Sequence, residues 1–347
     1  MIRFECDYAE GMHPKILQAL ADTNTAQTAG YGNDIYSEEA KKRILKLCDC
    51  KEAEVHLIAG GTQTNLIVIS SILRPHQGVI SSKHGHIATH ETGAIEASGH
   101  KVLEVENYDG KITATQIEEV YNIHWNDENH EHTVQPGMVY LSYPTEHGTI
   151  YSKDELKAIY EVCQKLQLPL FIDGARLGFA LATKQADMTL KELSTMCDIF
   201  YIGGTKVGAM FGEAVVITKK MYQKDFRYFI KQRGALLAKG RFLGVQFMTL
   251  FDEDNLYFEI SKNAIERAEE LKKAFVECGF SFMFDSPTNM IFPILPNEMV
   301  EELRKKYAFF TWCKVDATHQ AVRICTSFAT TKEQVVVFAK DIMSYKK

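Results

Sequence analysis

A lysine directly after an apolar run is the residue whose position says most about chemistry. Lys206 lies in Gly203-Gly204-Thr205-Lys206-Val207-Gly208, which follows the strand-like residues 199–202. Glycines let a ligand approach the backbone closely. An amine at such a place is partly desolvated, which lowers its pKa and suits Schiff-base formation. An exposed loop lysine would give the same local pattern, whereas the spacing of a nucleotide-binding P-loop is absent.

An aspartate and a glycine-rich turn stand at two other predicted strand ends. Asp173 opens Asp173-Gly174-Ala175-Arg176 after an apolar run, where a carboxylate persists only beside a cation or a donor. A protonated pyridine nitrogen is such a partner. Gly60-Gly61-Thr62 precedes a predicted helix, whose first backbone amides form a phosphate cradle. A helix-capping aspartate and an ordinary tight turn are the structural alternatives.

The elements between residues 54 and 218 alternate between short apolar runs and amphipathic stretches, which predicts βα units with helices on both faces of a mostly parallel sheet. Ligands of such sheets bind at the carboxyl ends of the strands, so the turn, Asp173 and Lys206 are expected to share one site. Capping boxes at Thr113 and Ser152 predict two helix starts. The polar stretch 122–132 is predicted to be a loop. The predicted strands are 53–59, 78–82, 101–105, 138–143, 168–172, 198–203 and 214–218.

After residue 240 the pattern changes to that of a smaller α+β domain. A long amphipathic helix is predicted over residues 256–278, with a stop at Gly279. The other predicted elements are antiparallel strands at 280–284, 290–294, 309–314 and 321–326, and helices at 298–306 and 332–345. We expect a large cofactor-binding domain over residues 21–245 and a small domain over residues 246–347. Residues 1–20, with a helix near 14–21, are expected to pack with the small domain.

The composition and net charge of the chain argue against several classes of function. The net charge is −6, which argues against broad binding to nucleic-acid phosphates. No apolar run approaches the ~20 residues that a membrane-spanning helix requires. Eight cysteines without a repeating spacing are typical of reduced thiols, so a cytoplasmic protein is expected. Cys48-Asp49-Cys50 lacks the second ligand pair of a zinc site and is interpreted as the end of a helix; no metal site is predicted.

The order of these motifs resembles the threonine aldolase family of pyridoxal-5′-phosphate (PLP) enzymes, in the β-eliminating lyase group. The resemblance runs from about residue 2 to 330. It implies the aspartate-aminotransferase-like (type I) fold, a three-layer sandwich with a mostly parallel central sheet and a smaller C-terminal α+β domain. It also implies a homo-oligomer, dimer or tetramer, with sites at the subunit interface. Its most specific parts are the Asp173 and Lys206 segments, His86-Ile87 with Glu91-Thr92-Gly93, the tyrosine-bearing loop 31–36 and Val322-Arg323-Ile324.

Carried over position by position, the resemblance implies roles for individual residues. Lys206 would hold PLP as a Schiff base, Asp173 would pair with the pyridine nitrogen, and His86 would stack on the ring. The residues expected at the phosphate are Gly60, Gly61, Thr62 and Thr205. The residues expected at the substrate are Arg176, which also belongs to the cofactor site, and Arg323, Tyr36 and His147. Further candidates for a phosphate contact, within the chain or across a subunit boundary, are Arg233, Lys239 and Arg241.

The chain departs from the family pattern in three places. Cys6-Asp7-Tyr8 stands where the family has Ser-Asp-Thr or Ser-Asp-Asn, Gly60 replaces a serine, and the Asn-Thr-His turn reads Pro144-Thr145-Glu146-His147. These changes are compatible with PLP binding, but the family pattern no longer defines the residues on the aldehyde side of the pocket. His86 could also be a solvated turn residue, and mid-strand Arg323 needs an anion, either a structural carboxylate or that of the substrate. The candidates for the catalytic base are His86, His147, His124, His130 and His132.

The predicted activity is retro-aldol cleavage of a β-hydroxy-α-amino acid, such as threonine or allo-threonine, to glycine and an aldehyde. A PLP-dependent aminotransferase or β-eliminating lyase on the same fold is the main alternative, and a phenylserine-type aldolase is a close variant. A nucleotide-binding oxidoreductase would need G-x-G-x-x-G followed by an acid, and the sequence has neither. The expected partner is a small amino acid, with no nucleic acid and no membrane.

Overall fold

The structure, a computed structural model, describes residues 1–345, so the last two residues of the predicted small domain lie outside the described residues. The strands are β1 Ile2–Arg3, β2 Glu54–Ile58, β3 Gln77–Ser82, β4 Val102–Val105, β5 Gln135–Ser142, β6 Leu170–Asp173, β7 Ile199–Gly203, β8 Glu213–Ile217, β9 Met290–Ile291, β10 Ile294–Pro296, β11 Tyr307–Ala308, β12 Phe310–Lys314 and β13 His319–Cys325. The helices are α1 Pro14–Thr23, α2 Ile35–Cys48, α3 Gly61–Ile72, α4 His86–Thr89, α5 Ala94–Ala97, α6 Ala114–Trp125, α7 Lys153–Leu166, α8 Leu177–Ala182, α9 Leu190–Thr195, α10 Phe226–Gln232, α11 Arg241–Leu250, α12 Leu256–Glu277, α13 Asn297–Arg304 and α14 Lys332–Met343.

A seven-stranded sheet forms the centre of the large domain, in the order β2-β8-β7-β6-β5-β3-β4. β8 runs antiparallel to its neighbours β2 and β7, and the other strand pairs are parallel. All five residues of β7 are buried, as in strands whose sheet is covered on both faces. Every strand predicted between residues 53 and 218 overlaps one of the observed strands, and the expected type I architecture is confirmed.

Two apolar cores lie on opposite faces of this sheet, because alternate strand residues point to opposite sides. Val139 and Leu141 pack into one core with α2, α7 and α12. Met138 and Tyr140 pack into the other core with α3 and α10. Ser142, which follows Tyr140 on the same side of β5, therefore faces the α3 side of the sheet. This face carries the site described below.

The helix starts were predicted more accurately than the loops. Both capping boxes form, with Thr113 at the start of α6 and Ser152 at the start of α7. Cys48 ends α2, and Asp49 adopts the left-handed conformation typical of a helix exit. The predicted loop over residues 122–132 is wrong in its first part, because α6 continues to Trp125. In its last part, a 3₁₀ turn forms at His130–His132.

The small domain contains an antiparallel sheet in the order β10-β13-β12, with β9 also paired to β13. The strand predicted over residues 280–284 is wrong, since only an isolated bridge joins Phe282 to Pro293. The strand predicted over residues 290–294 is divided into β9 and β10, which pair with different parts of β13. Proline has no N–H to donate to a ladder, and Pro293 lies in the gap between these two strands.

The N-terminal residues divide between the two domains. β1 pairs in parallel with β11, and Phe4 is buried in the small-domain core beside Tyr307 and Phe338. Helix α1, in contrast, packs on α11, and its residue Ile16 belongs to the core of the large domain. The first residues therefore complete the small domain, whereas α1 covers the large one.

Among residues 1–345, none of the helices combines the length and the apolar character needed to cross a membrane.

Candidate active site

The carboxyl ends of the parallel strands open into a cleft of about 530 Å³ between the two domains. Its apolar walls are formed by Tyr8, Met290, Phe310 and Trp312. Its titratable and charged residues are His86, His90, Glu146, Arg176, Lys206 and Arg323. Four of the residues expected in the site, Lys206, His86, Arg176 and Arg323, therefore line one cleft.

Asp173 is the last residue of β6 and is buried, with 4% of its surface exposed. Its Oδ1 accepts hydrogen bonds from the Tyr201 hydroxyl (2.5 Å) and the Ala175 amide (3.0 Å). Its Oδ2 accepts from the Tyr140 hydroxyl (2.6 Å) and the Asn65 amide (2.9 Å). Burial alone would raise the pKa of Asp173, but the charge of His86 and these donors outweigh burial and hold the pKa below its ordinary value. The group is therefore a stable carboxylate.

Lys206 stands on the loop after β7, next to the end of β6. Glycine is required where these strand ends meet, because a Cβ on Gly174 would lie 1.9 Å from the Tyr201 carbonyl oxygen and one on Gly203 would lie 2.3 Å from the Ala175 carbonyl oxygen. The amide of Gly203 donates to the carbonyl of Gly174. Lys206 is thereby placed close enough for its charge to interact with that of the Asp173 carboxylate.

The amine of Lys206 is destabilised as an ammonium ion. Burial lowers its pKa first, and the nearby Arg176 guanidinium lowers it further, against the opposing charges of Asp7, Asp173 and Glu213. A lowered pKa supplies the neutral amine that attacks a carbonyl. Sequence reasoning missed Glu213 beside it, whose carboxylate accepts from the Thr205 hydroxyl (2.9 Å) and the Gly204 amide (3.2 Å). Burial raises the pKa of Glu213 to about 8.

His86 begins α4 on the side of the cleft formed by β3. Its Nδ1 lies 3.0 Å from Oε1 of Glu91, and the same oxygen accepts a hydrogen bond from Asn65 (2.8 Å). Because Asn65 also donates to Asp173, one amide joins the orienting carboxylate of His86 to the buried aspartate. The histidine is therefore oriented by partners within the chain, and a solvated turn does not describe it.

The glycine turn lies at the start of α3, as the sequence predicts, with Gly60 as the N-cap. A Cβ on Gly61 would lie 3.4 Å from the Tyr201 hydroxyl, which itself bonds Asp173. Two buried polar atoms have no hydrogen-bond partner: Oγ1 of Thr64, on this first turn, and Nε of Arg233. Arg233 is joined to the turn by its carbonyl oxygen, which accepts from the Gln63 side chain (3.0 Å). The first amides of the helix and this hydroxyl fit an anion such as a phosphate.

The two arginines expected at the substrate differ in their partners. Arg176 is held by the buried Asp7, with its Nε 2.6 Å and its Nη2 3.0 Å from the two carboxylate oxygens. Arg323 forms no ion pair with any carboxylate among residues 1–345; its Nη2 reaches only the Glu5 carbonyl (3.3 Å), and its buried Nε has no partner. The rings of Phe310 and Trp312 lie 5.3 and 5.9 Å from its guanidinium carbon. Arg323 is thus the arginine free to receive an anion.

The side chains of three other residues expected in the site are engaged elsewhere in the chain. His147 stacks on Phe284, with the ring centroids 3.9 Å apart, and Glu146 lines the cleft instead. Tyr36 packs its ring against Arg241. The hydroxyl of Thr205, expected at the phosphate, donates to Glu213 and accepts from the Gly212 amide, so it already has partners in both directions.

The remaining candidate bases lie at the opposite edge of the sheet. Helix α6 connects β4 to β5 and ends at Trp125, so His124, His130 and His132 precede the amino end of β5. The site lies at the carboxyl ends of the same strands. His90, which the sequence did not single out, lines the cleft and stacks on His86 at 5.5 Å between centroids. The histidines of the cleft are therefore His86 and His90.

A lysine and a buried aspartate near adjacent strand ends of a type I sheet are an arrangement that PLP-dependent enzymes use. Residues 7–296 match the sequence model of the β-eliminating lyase family. A low-specificity L-threonine aldolase from Pseudomonas is 31% identical, over 98% of this chain and 96% of its own. The solved structure of Leishmania major threonine aldolase is 42% identical, with a TM-score of 0.97 over 100% of both chains. The chain therefore belongs to the β-eliminating lyases, in the threonine aldolase family, whose members are PLP-dependent lyases.

The fold itself is shared more widely. An aspartate aminotransferase mutant of Thermus thermophilus has a TM-score of 0.72, over 99% of this chain and 91% of its own, at 12% identity. At that identity the likeness concerns the fold alone, so reaction type must be argued from the residues of the cleft.

Proposed function

We propose that this chain is a PLP-dependent aldolase that cleaves a β-hydroxy-α-amino acid of the threonine or allo-threonine type into glycine and an aldehyde. The observation that carries the proposal is the placement of Asp173 and Lys206 after the adjacent strands β6 and β7, beside a cleft in which Arg323 lacks a carboxylate partner. PLP, when bound, supplies the electron sink that makes cleavage of the Cα–Cβ bond feasible.

The residues present fit this cofactor. Asp173 is a stable carboxylate suited to a protonated pyridine nitrogen, and Lys206 is the amine suited to its aldehyde. The phosphate would be held by the first amides of α3 at Gly60, Gly61 and Thr62, with the unpartnered Thr64 hydroxyl and Arg233 guanidinium beside them. Burying polar atoms without partners is costly, and a phosphate would satisfy both of them.

The substrate would be held and activated by the chain's own groups. Arg323 binds the amino acid carboxylate, and the Arg176 guanidinium, held by Asp7, forms a fixed cationic wall beside it. His86, oriented by Glu91, and His90 are the imidazoles able to accept the proton of the β-hydroxyl. Tyr8, Phe310 and Trp312 form the apolar side of the cleft, where the released aldehyde would leave.

The assay that tests the proposal compares L-threonine with L-allo-threonine and measures glycine and acetaldehyde. Release of both products in equal amounts is the expected result. Release of a keto acid or of ammonia in their place would support the aminotransferase or β-eliminating alternative instead. A panel with phenylserine then defines which side chain the apolar wall accepts.

Assembly and location belong to the same proposal. We infer a homo-oligomer, a dimer or tetramer, in which the loop 31–36 completes a neighbouring site, because Tyr31 and Ile35 are 44% and 70% exposed in the single chain. Sedimentation analysis of the protein tests this assembly, and a monomer with full activity would contradict it. No disulfide joins any of the eight cysteines, all of which lie among residues 1–345, and this agrees with a cytoplasmic location.

The carboxylate contact of Arg323 leads to a prediction about the Michaelis constant. In Arg323→Ala we expect KM for threonine to rise about 10- to 100-fold with a smaller change in kcat, since a hydrogen bond to a charged group contributes about 1.5–3 kcal/mol. Steady-state kinetics at constant pH measures both constants. The control is Arg74→Ala, at an exposed arginine just after the end of α3. An equal KM increase for an amide substrate without the carboxylate would contradict the contact.

The unpartnered guanidinium of Arg233 leads to a prediction about cofactor affinity. In Arg233→Ala we expect the Kd for PLP to rise about tenfold or more, because one charged hydrogen bond to the phosphate is lost. Fluorescence titration of the cofactor-free protein measures this Kd. Arg74, exposed just after the other end of α3, is the matched control. Unchanged affinity in Arg233→Ala would mean that Lys239 or Arg241, or a second subunit, supplies the charge.

A further inference from the structure

A line of hydrogen-bonding groups connects the wall of the cleft to the buried aspartate. Tyr140 and Ser142 lie on the same face of β5, and Ser142 is the register partner of Asp173 on β6. Oγ of Ser142 lies 2.6 Å from Oε1 of Glu146 and 3.3 Å from the Tyr140 hydroxyl. The Tyr140 hydroxyl in turn donates to Asp173 over 2.6 Å. Three contacts therefore lead from Glu146, in the cleft wall, to Asp173.

The number of protons in this line depends on the charge of Glu146. The Tyr140 proton is used on Asp173, so the contact between Ser142 and Tyr140 can be made only with the proton of Ser142. If Glu146 is ionised, Ser142 must donate to it, and the lone pairs of Ser142 and Tyr140 face each other. If Glu146 is protonated on Oε1, it donates to Ser142, Ser142 donates to Tyr140, and all three contacts are made.

We propose that Glu146 is a neutral carboxylic acid which donates its proton to Ser142 and so forms a relay that ends on Asp173. Glu146 is then a positioning residue: it strengthens the hydrogen bond from Tyr140 that keeps Asp173 ionised. That consequence for Asp173 rests on the proposed function, whereas the charge state of Glu146 does not.

The surroundings of Glu146 agree with the neutral form. Its Oε2 is buried without a partner, which costs more for a carboxylate than for a carboxylic acid. Burial is the main factor that raises the pKa of Glu146, and Asp173 raises it further, against Ser142 and the charge of His86. The titratable groups that face Glu146 are His86, Asp173, Tyr140 and Tyr151, and the cations of the same cleft are Arg176, Lys206 and Arg323.

A neutral Glu146 also matters for the substrate. Asp7 compensates the charge of Arg176, so Arg323 is the main cation for the amino acid carboxylate. An ionised Glu146 would add a negative charge to the same cleft.

Because the pKa of Glu146 is raised, the neutral form prevails below that pKa and is lost as the pH rises through it. Turnover that depends on the relay must therefore fall on the alkaline side.

The charge state is tested directly by infrared spectroscopy of the purified protein with PLP bound. We expect the spectrum near neutral pH to contain a carbonyl band of a protonated carboxylic acid that is missing in Glu146→Gln. The control is Glu118→Gln, at a half-buried residue of α6 that pairs with Lys165, which removes no such band. Identical bands in the native protein and in Glu146→Gln would overturn the proposal. The band is observable whether or not the protein cleaves threonine.

The relay is tested by comparing Glu146→Gln with Glu146→Ala and Ser142→Ala. The amide of Gln donates to Ser142 as the neutral acid does, so kcat/KM should exceed that of Glu146→Ala by about tenfold, the worth of one or two hydrogen bonds. The alkaline fall of kcat/KM and the matching change in the cofactor absorption should move or vanish in Glu146→Gln. Ser142→Ala, which interrupts the relay, should resemble Glu146→Ala. Equal losses in Gln and Ala would instead assign Glu146 as a proton acceptor and overturn the relay.

Discussion

Replacing Lys206 with alanine is expected to lower turnover by at least about 10⁴-fold, because a positioned nucleophile in the site is worth effective molarities of that order or more. The lowered pKa of Lys206 and its place beside Asp173 leave it as the amine able to bond the cofactor. Single-turnover assays of glycine formation measure the loss. Borohydride treatment of the native protein should attach the cofactor to the peptide containing residue 206, and mass spectrometry detects it.

The matched control for this variant is Lys157→Ala, since Lys157 is exposed on α7 and pairs only weakly with Glu161. It should retain native turnover and native borohydride labelling. Full turnover in Lys206→Ala, or labelling of a different lysine, would remove the chemical basis of the proposed function.

Asp173→Asn is expected to lower kcat about 10²- to 10³-fold, which is typical for loss of one preorganised electrostatic group. A neutral amide cannot stabilise a protonated pyridine nitrogen, so the electron sink weakens. The substitution also turns an acceptor of four donors into a group that carries donors itself, facing Tyr140, Tyr201 and Asn65. Steady-state kinetics of the variant, with its PLP content determined by absorbance, measures the effect.

Cofactor content separates the two consequences of this substitution. If the variant keeps PLP but loses turnover, the loss is electronic. A variant that binds PLP and cleaves threonine at the native rate would show that Asp173 has only a structural role. Tyr201→Phe is the companion variant: it removes one donor to the carboxylate and should raise the pKa of Asp173 while keeping its negative charge.

The parts of the site that the sequence predicted are those tied to strand ends. Lys206, Asp173 and the glycine turn follow apolar runs, and in a parallel sheet such positions converge whatever the distances along the chain. The two capping boxes could be predicted for a similar reason, because each is defined by reciprocal hydrogen bonds between residues three positions apart in the sequence. The fold could be predicted because its strands alternate with helices over 160 or so residues.

Residues without such a pattern were missed or misassigned. Glu146 and His147 are neighbours in a turn, where no periodicity tells which of them faces the cleft, and the structure turns Glu146 inward. Tyr201 lies in the uniformly apolar β7, so its hydroxyl gave no signal. Arg176 and Asp7 are 169 positions apart in the sequence. No local feature indicates that the carboxylate of Asp7 binds the guanidinium of Arg176. The break between β9 and β10 at Pro293 could have been predicted from the proline, but a single strand over residues 290–294 was predicted instead.

The pairing of the first residues with the small domain has a consequence for the order of folding. Phe4 is synthesised about 300 residues before its core partners Tyr307 and Phe338. This apolar side chain therefore stays without its core partners until the small domain has been synthesised. Late closure of such distant contacts is slow and exposes aggregation-prone surface, so the yield of soluble protein should depend on how these few leading residues are shielded in the meantime.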